Sequence, residues 1–202
     1  MRDFTLTEST CDQAVLIDAK SKGWDEWFSN PTAGPWKRIK VPGVGDLAAS
    51  GFGKIETRPD LILYYGNTDD KKVPVLTDPK ILITESKDDI DKLDEEQLEK
   101  TCKNFLDIKI KLEALIKTST DKTLLRSADS INYICSYVVG NQPNISTKID
   151  ELKKIHFKFI DKSIFPNFVV IIVKKDGYEL STDILEISQN DTKPITSLEE
   201  IF

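Results

Sequence analysis

The sequence predicts a mixed α/β domain in which helices flank a central sheet, and three stretches carry that expectation. Phe168 to Val173, FVVIIV, is an unbroken β-branched run that suits a strand buried on both faces. Leu93 to Lys117 places Leu98, Cys102, Phe105, Leu112, Leu115 and Ile116 at helical spacing. Leu61 to Tyr65 and Lys80 to Glu85 read as two apolar strands joined by a polar loop. At 202 residues the chain is expected to form one domain with a proper core.

Residues 9–29 read as helical, with Ser/Thr caps and an apolar face of Ala14, Val15, Leu16 and Ile17. Gly23 interrupts the pattern, giving either two helices or a helix and a turn. From Asn30 to Gly53 prolines and glycines punctuate a long loop, and a loop of that length is usually functional or disordered. Lys54 to Thr57 is a candidate short strand before the pair described above. Thr123 to Val139 is expected to be helical and to end at Gly140, and Ser146 to Ile155 forms a further helix. Leu180 to Ile187 is a weaker strand or helix candidate, and the polar C-terminal tail is expected to be peripheral.

Composition narrows the function. No apolar run approaches the roughly 20 residues of a membrane span, and MRDFTLTEST lacks the pattern of a signal peptide, so a cytoplasmic protein with no membrane partner is expected. Three scattered cysteines, Cys11, Cys102 and Cys135, form no CxxC pair and support neither a disulfide framework nor a zinc site. His156 is the one histidine, and beside aromatics in KKIHFKF it reads as structural. Net charge is −6, yet Asp88 to Lys100 alone carries seven acids and two lysines. Lys148 to Lys175 holds seven Lys/Arg against three acids, and Ala33 to Arg58 five against two, so a polyanionic partner is permitted. Lys37, Arg38 and Lys40 suit either phosphate contacts or a solvated loop. Trp24, Trp27, Trp36 and Phe28 cluster near the N-terminus and read as packing rather than base-stacking residues.

Chemistry concentrates at the ends of the strand pair. Side chains alternate along a strand, so Glu85 and Lys87 project together while Thr84 and Ser86 point the other way. In a suitable register Asp60 comes alongside them. Mg²⁺ prefers hard oxygen donors and often takes only one or two protein carboxylates. Asp60 and Glu85 supply two, the Ser86 carbonyl a third oxygen, and Lys87 a cation to offset developing charge. Such a set suits phosphodiester hydrolysis. Asp46, in the glycine-flanked VPGVGD, competes as a first metal acid.

Pro59-Asp60 followed by Glu85-Ser86-Lys87 at a strand end resembles the PD-(D/E)xK motif of the restriction-endonuclease-like nuclease superfamily. The resemblance covers about Lys54 to Lys117. It implies a restriction-endonuclease-like mixed sheet with a catalytic core over roughly 54–175, Mg²⁺ bound by Asp60 and Glu85, and Lys87 assisting the attacking water. It further implies double-stranded DNA as substrate, a type II restriction enzyme as the form, and a homodimer matching a palindromic site. That family often adds an acid from an N-terminal helix, for which Glu8, Asp12, Asp18, Asp25 and Glu26 are all available. A Gln-x-x-x-Tyr signature of some branches is not met, since Gln97 is followed by Thr101. A non-catalytic binding domain of the same fold, or a nuclease module without its recognition domain, are the rival expectations.

Overall fold

The computed structural model describes residues 5–29, 38–48, 59–66 and 79–201. The Lys54–Thr57 strand candidate, Trp36, Lys37 and the side chains of Arg38 and Asp46 lie outside the described residues. Nine strands and four α-helices are described: α1 (Glu8–Ser21), β1 (Asp25–Ser29), β2 (Arg38–Val41), β3 (Gly45–Ala48), β4 (Leu61–Tyr65), β5 (Lys80–Lys87), α2 (Glu95–Ile116), α3 (Lys122–Ser127), β6 (Asn132–Gly140), α4 (Ile145–Phe159), β7 (Asn167–Asp176), β8 (Glu179–Ser188) and β9 (Thr192–Ile195).

Seven strands form one mixed sheet in the order β1-β4-β5-β6-β7-β8-β9. β5, β6 and β7 run parallel, and the flanking strands are antiparallel. Parallel neighbours need a crossover, which α2 with α3 supplies before β6 and α4 supplies before β7. Both crossover helices cover one face of the sheet, against Ile62, Ile83, Tyr137 and Val170. Helix α1 covers the other, over Leu61, Leu63, Leu82, Val138 and Ile171. Helices on both faces explain why β5, β6 and β7 are continuous apolar runs rather than alternating ones.

Four expectations are corrected, one being the loop expected from Asn30 to Gly53, within which β2 and β3 pair. The helix expected over 9–29 stops at Ser21. Gly23 at φ +88° closes it, with the Gly23 and Trp24 amides returning to the carbonyls of Lys20 and Ala19. The residues after it form the edge strand β1, whose irregular register between Glu26 and Phe28 lets neighbouring Trp27 and Phe28 both be buried. The helix expected over 123–139 is a short α3, capped by Asp121, followed by the central strand β6. Aromatic and β-branched residues in INYICSYVV favour that strand, and its burial on both faces removes the alternation that would have marked it. The C-terminal tail is not peripheral: β9 extends the sheet, and Ile195, Leu198 and Ile201 are buried against the α1 side. The Trp24 indole donates to Glu199 Oε1 at 2.9 Å and holds that segment down.

Strands β2 and β3 form a separate two-stranded sheet. Pro42 and Gly43 turn between them, closed by the Val44 amide on the Val41 carbonyl, with Gly43 at φ +71°. Its carbonyl accepts from the Thr120 amide at 3.1 Å, and Ser119 Oγ donates to the Pro42 carbonyl at 2.6 Å. A Cβ on Gly43 would stand 2.3 Å from the Asp121 amide nitrogen. Gly43→Ala is therefore expected to lower stability by about 2 kcal/mol or more in urea unfolding, through both the positive φ and the backbone clash.

Candidate active site

Leu61 pairs with Thr84 in the antiparallel β4–β5 ladder, and the Asp60 amide donates to the Thr84 carbonyl at 2.9 Å. Asp60, one residue before β4, thereby stands beside the carboxyl end of β5. This is the register that the sequence left open. The Ser86 amide donates to Asp60 Oδ2 at 2.8 Å, which ties the aspartate to the next residue of β5. Lys87 Nζ lies 2.9 Å from Glu85 Oε1 and donates to the Ser86 carbonyl at 2.8 Å. The sequence-predicted Asp60, Glu85, Ser86 and Lys87 are thus brought together.

Further residues join them that the sequence did not single out. Helix α1 begins at this end of the sheet, held by the Thr7 cap. Its Glu8 carboxylate stands 3.6 Å from Lys87 Nζ, and its buried Asp12 accepts from the Ser86 hydroxyl. Glu8 and Asp12 are four apart and share a helix face with Val15, which packs on the sheet. That spacing was the available signal. Asp18 and Glu26 are engaged elsewhere, with Lys22 and Lys20, and Asp25 is exposed on β1. From the other face, α2 is capped by Asp94 and aims Gln97 at the site. Gln97 Nε2 donates to Glu85 Oε1 at 3.3 Å and to Thr101 Oγ1 at 3.4 Å. Gln97 therefore meets the glutamate although Thr101, not a tyrosine, follows it four residues on.

The electrostatics follow from four acids around one ammonium. Burial, with the neighbouring charges of Asp60 and Glu8, pushes the Asp12 carboxyl up to about 7 against the Ser86 hydrogen bond. Burial raises Glu85, and Asp60 adds to it while Lys87 pulls the other way. Burial disfavours the Lys87 ammonium, but Glu85, Asp60 and Glu8 outweigh it and the lysine is held above its ordinary value. Among the described residues no three acids, histidines or thiols form a ready-made chelate. The donor set nevertheless fits Mg²⁺, which takes one or two carboxylates and completes its shell with water. A divalent cation beside Asp60 and Glu85 would also offset the like charge that raises Glu85. Asp46 stands on β3, opposite Lys40 in the separate small sheet.

One consequence concerns the protein in metal-free buffer. Asp12 is protonated more readily in the folded chain than in the unfolded one, so its ionisation costs stability above pH 4 and most above pH 7. Asp12→Asn is expected to raise the melting temperature in EDTA at pH 8, with the gain fading toward pH 4. An equal shift at both pH values would contradict this.

Among the described residues no helix is long and apolar enough to cross a membrane. Comparison with protein-family models, curated proteins and solved structures returned no match.

Proposed function

We propose that this chain is a Mg²⁺-dependent endodeoxyribonuclease with a restriction-endonuclease-like arrangement, acting on double-stranded DNA as a type II restriction enzyme does. The observation that carries the reading is the cluster at the end of the β4–β5 pair, where the Ser86 amide bonds to Asp60 Oδ2 and Lys87 bonds both Glu85 and the Ser86 carbonyl. Two carboxylates, a carbonyl and an ammonium at one strand end are the parts that phosphodiester hydrolysis needs.

In this reading Asp60, Glu85 and the Ser86 carbonyl hold the Mg²⁺. When bound, the ion polarises a phosphoryl oxygen and lowers the pKa of a water. Lys87 keeps its proton and offsets charge on the phosphoryl oxygens. Glu8 and Asp12, from α1, sit where they orient Lys87 and Ser86. Gln97 fixes the rotamer of Glu85 from the opposite face. A palindromic target cut on both strands calls for a two-fold dimer.

The test is supercoiled plasmid incubated with wild type in Mg²⁺ or in EDTA, beside Asp60→Ala and Lys87→Ala. Mg²⁺-dependent nicking by wild type alone is expected, and discrete fragments rather than a smear identify a self-sufficient restriction enzyme. Undiminished cleavage by either variant removes the site assignment.

A further inference from the structure

A groove of about 550 Å³ runs along the outer face of α4 and the turns beyond it, lined by Asp150, Lys153, Lys154, Phe157, Lys158 and Lys162, with Gln189 closing one side. Four lysines against one acid make it strongly positive within a chain of net charge −6. The lysines are of two kinds. Lys158 pairs with Glu95, and Lys153 Nζ donates to the Asp191 carbonyl at 3.1 Å. Lys154 and Lys162 are exposed and make no ion pair with a described residue, and the Lys162 ammonium stands 5.8 Å from the Phe157 ring centroid. Two ammonium groups therefore stand along a concave face without an ion-pair partner among the described residues, Asp150 being the one acid that lines it.

A relay of contacts links the groove to the candidate active site. Lys158 lines it and meets Glu95 at the start of α2, two residues before Gln97, which touches Glu85. The acids that separate the two are partly neutralised from α4 itself, since Lys148 pairs with Asp91 as Lys158 does with Glu95.

We infer that this groove binds the phosphate backbone of a DNA duplex, the same duplex that the proposed site would cut; the inference rests on the nuclease reading for its substrate. The lysines act as point charges on a repeating polyanion, which gives affinity without sequence information. Lys153 and Lys158, fixed by their own bonds, shape the wall, and Lys154 and Lys162 meet phosphate.

The experiment is fluorescence anisotropy of a labelled 30-bp duplex in EDTA, where no cleavage occurs, titrated from 50 to 200 mM KCl. Lys154→Ala/Lys162→Ala is expected to weaken binding by at least about tenfold at the low end and to flatten the log–log salt slope by about 1.8, two phosphate contacts' worth. Lys154→Arg/Lys162→Arg is expected to bind as wild type does. Both side chains are exposed, so an unchanged melting temperature accompanies the loss. Equal affinity and slope in wild type and the alanine variant overturn the inference, as does binding of poly-glutamate in place of the duplex. Failure of the nuclease reading looks different: duplex binding that depends on these lysines, with plasmid left intact in Mg²⁺, removes the catalytic assignment and keeps the groove.

Discussion

Glu85→Gln is expected to reduce Mg²⁺-dependent plasmid nicking by about a thousandfold or more while leaving duplex affinity in EDTA within about twofold of wild type. Glu85 is 8% exposed and touches both Lys87 and Gln97, so the change removes a charge and keeps the shape. Loss of one carboxylate from a cation site forfeits several kcal/mol of charge stabilisation, and each 1.36 kcal/mol is tenfold in rate. Lys87→Ala should match it in direction, because no other lysine or arginine among the described residues pairs with Glu85. Cleavage by Glu85→Gln within tenfold of wild type would show that the glutamate is a structural partner of Lys87 only. The binding measurement separates a catalytic loss from a folding one.

His156 carries the second large effect, on stability. It is fully buried on the α4 side of the sheet, where its Nδ1 lies 2.8 Å from the Tyr137 hydroxyl and its ring packs 4.1 Å from that of Phe168. Burial pushes its pKa down to about 3. The unfolded chain binds that proton near pH 6.5, so the stability is fully present above 6.5 and is lost as pH falls toward 3. The loss amounts to about 1.4 kcal/mol per unit, on the order of 4 kcal/mol by pH 3.5. Asp12 titrates in the same window with the opposite sign, so the two partly cancel in wild type. His156→Gln isolates the histidine: the variant is expected to be less stable than wild type at pH 7, and urea midpoints should converge by pH 4. Parallel midpoint curves would mean that His156 titrates normally.

Much of this arrangement was legible in the residues. The charges of Asp60, Glu85 and Lys87 stand at the ends of apolar runs, and period-two alternation put Glu85 and Lys87 on one face. Helix α2 was readable because only one side of it is apolar. The histidine among aromatics was recognisably a core residue. Strand β6 was missed for a physical reason: a strand covered on both faces has no polar side, and its apolar run then matches a buried helix equally well. The closing segment was missed because its apolar residues, Ile195, Leu198 and Ile201, are diluted by polar residues and Pro194, and only the packed fold sorts the apolar ones inward.

Elements with one wet face and one dry face can be read from the residues alone, and so can the residue types able to do chemistry at their ends. Register and approach belonged to tertiary structure alone. Which residue faces Asp60 depends on how two strands slide, and a one-residue slip would have turned Glu85 away. That Glu8 and Asp12 join from α1, and Gln97 from α2, depends on two helices packing on opposite faces of the same strand. No local pattern encodes that meeting, because the burial that drives it exists only once the sheet is formed.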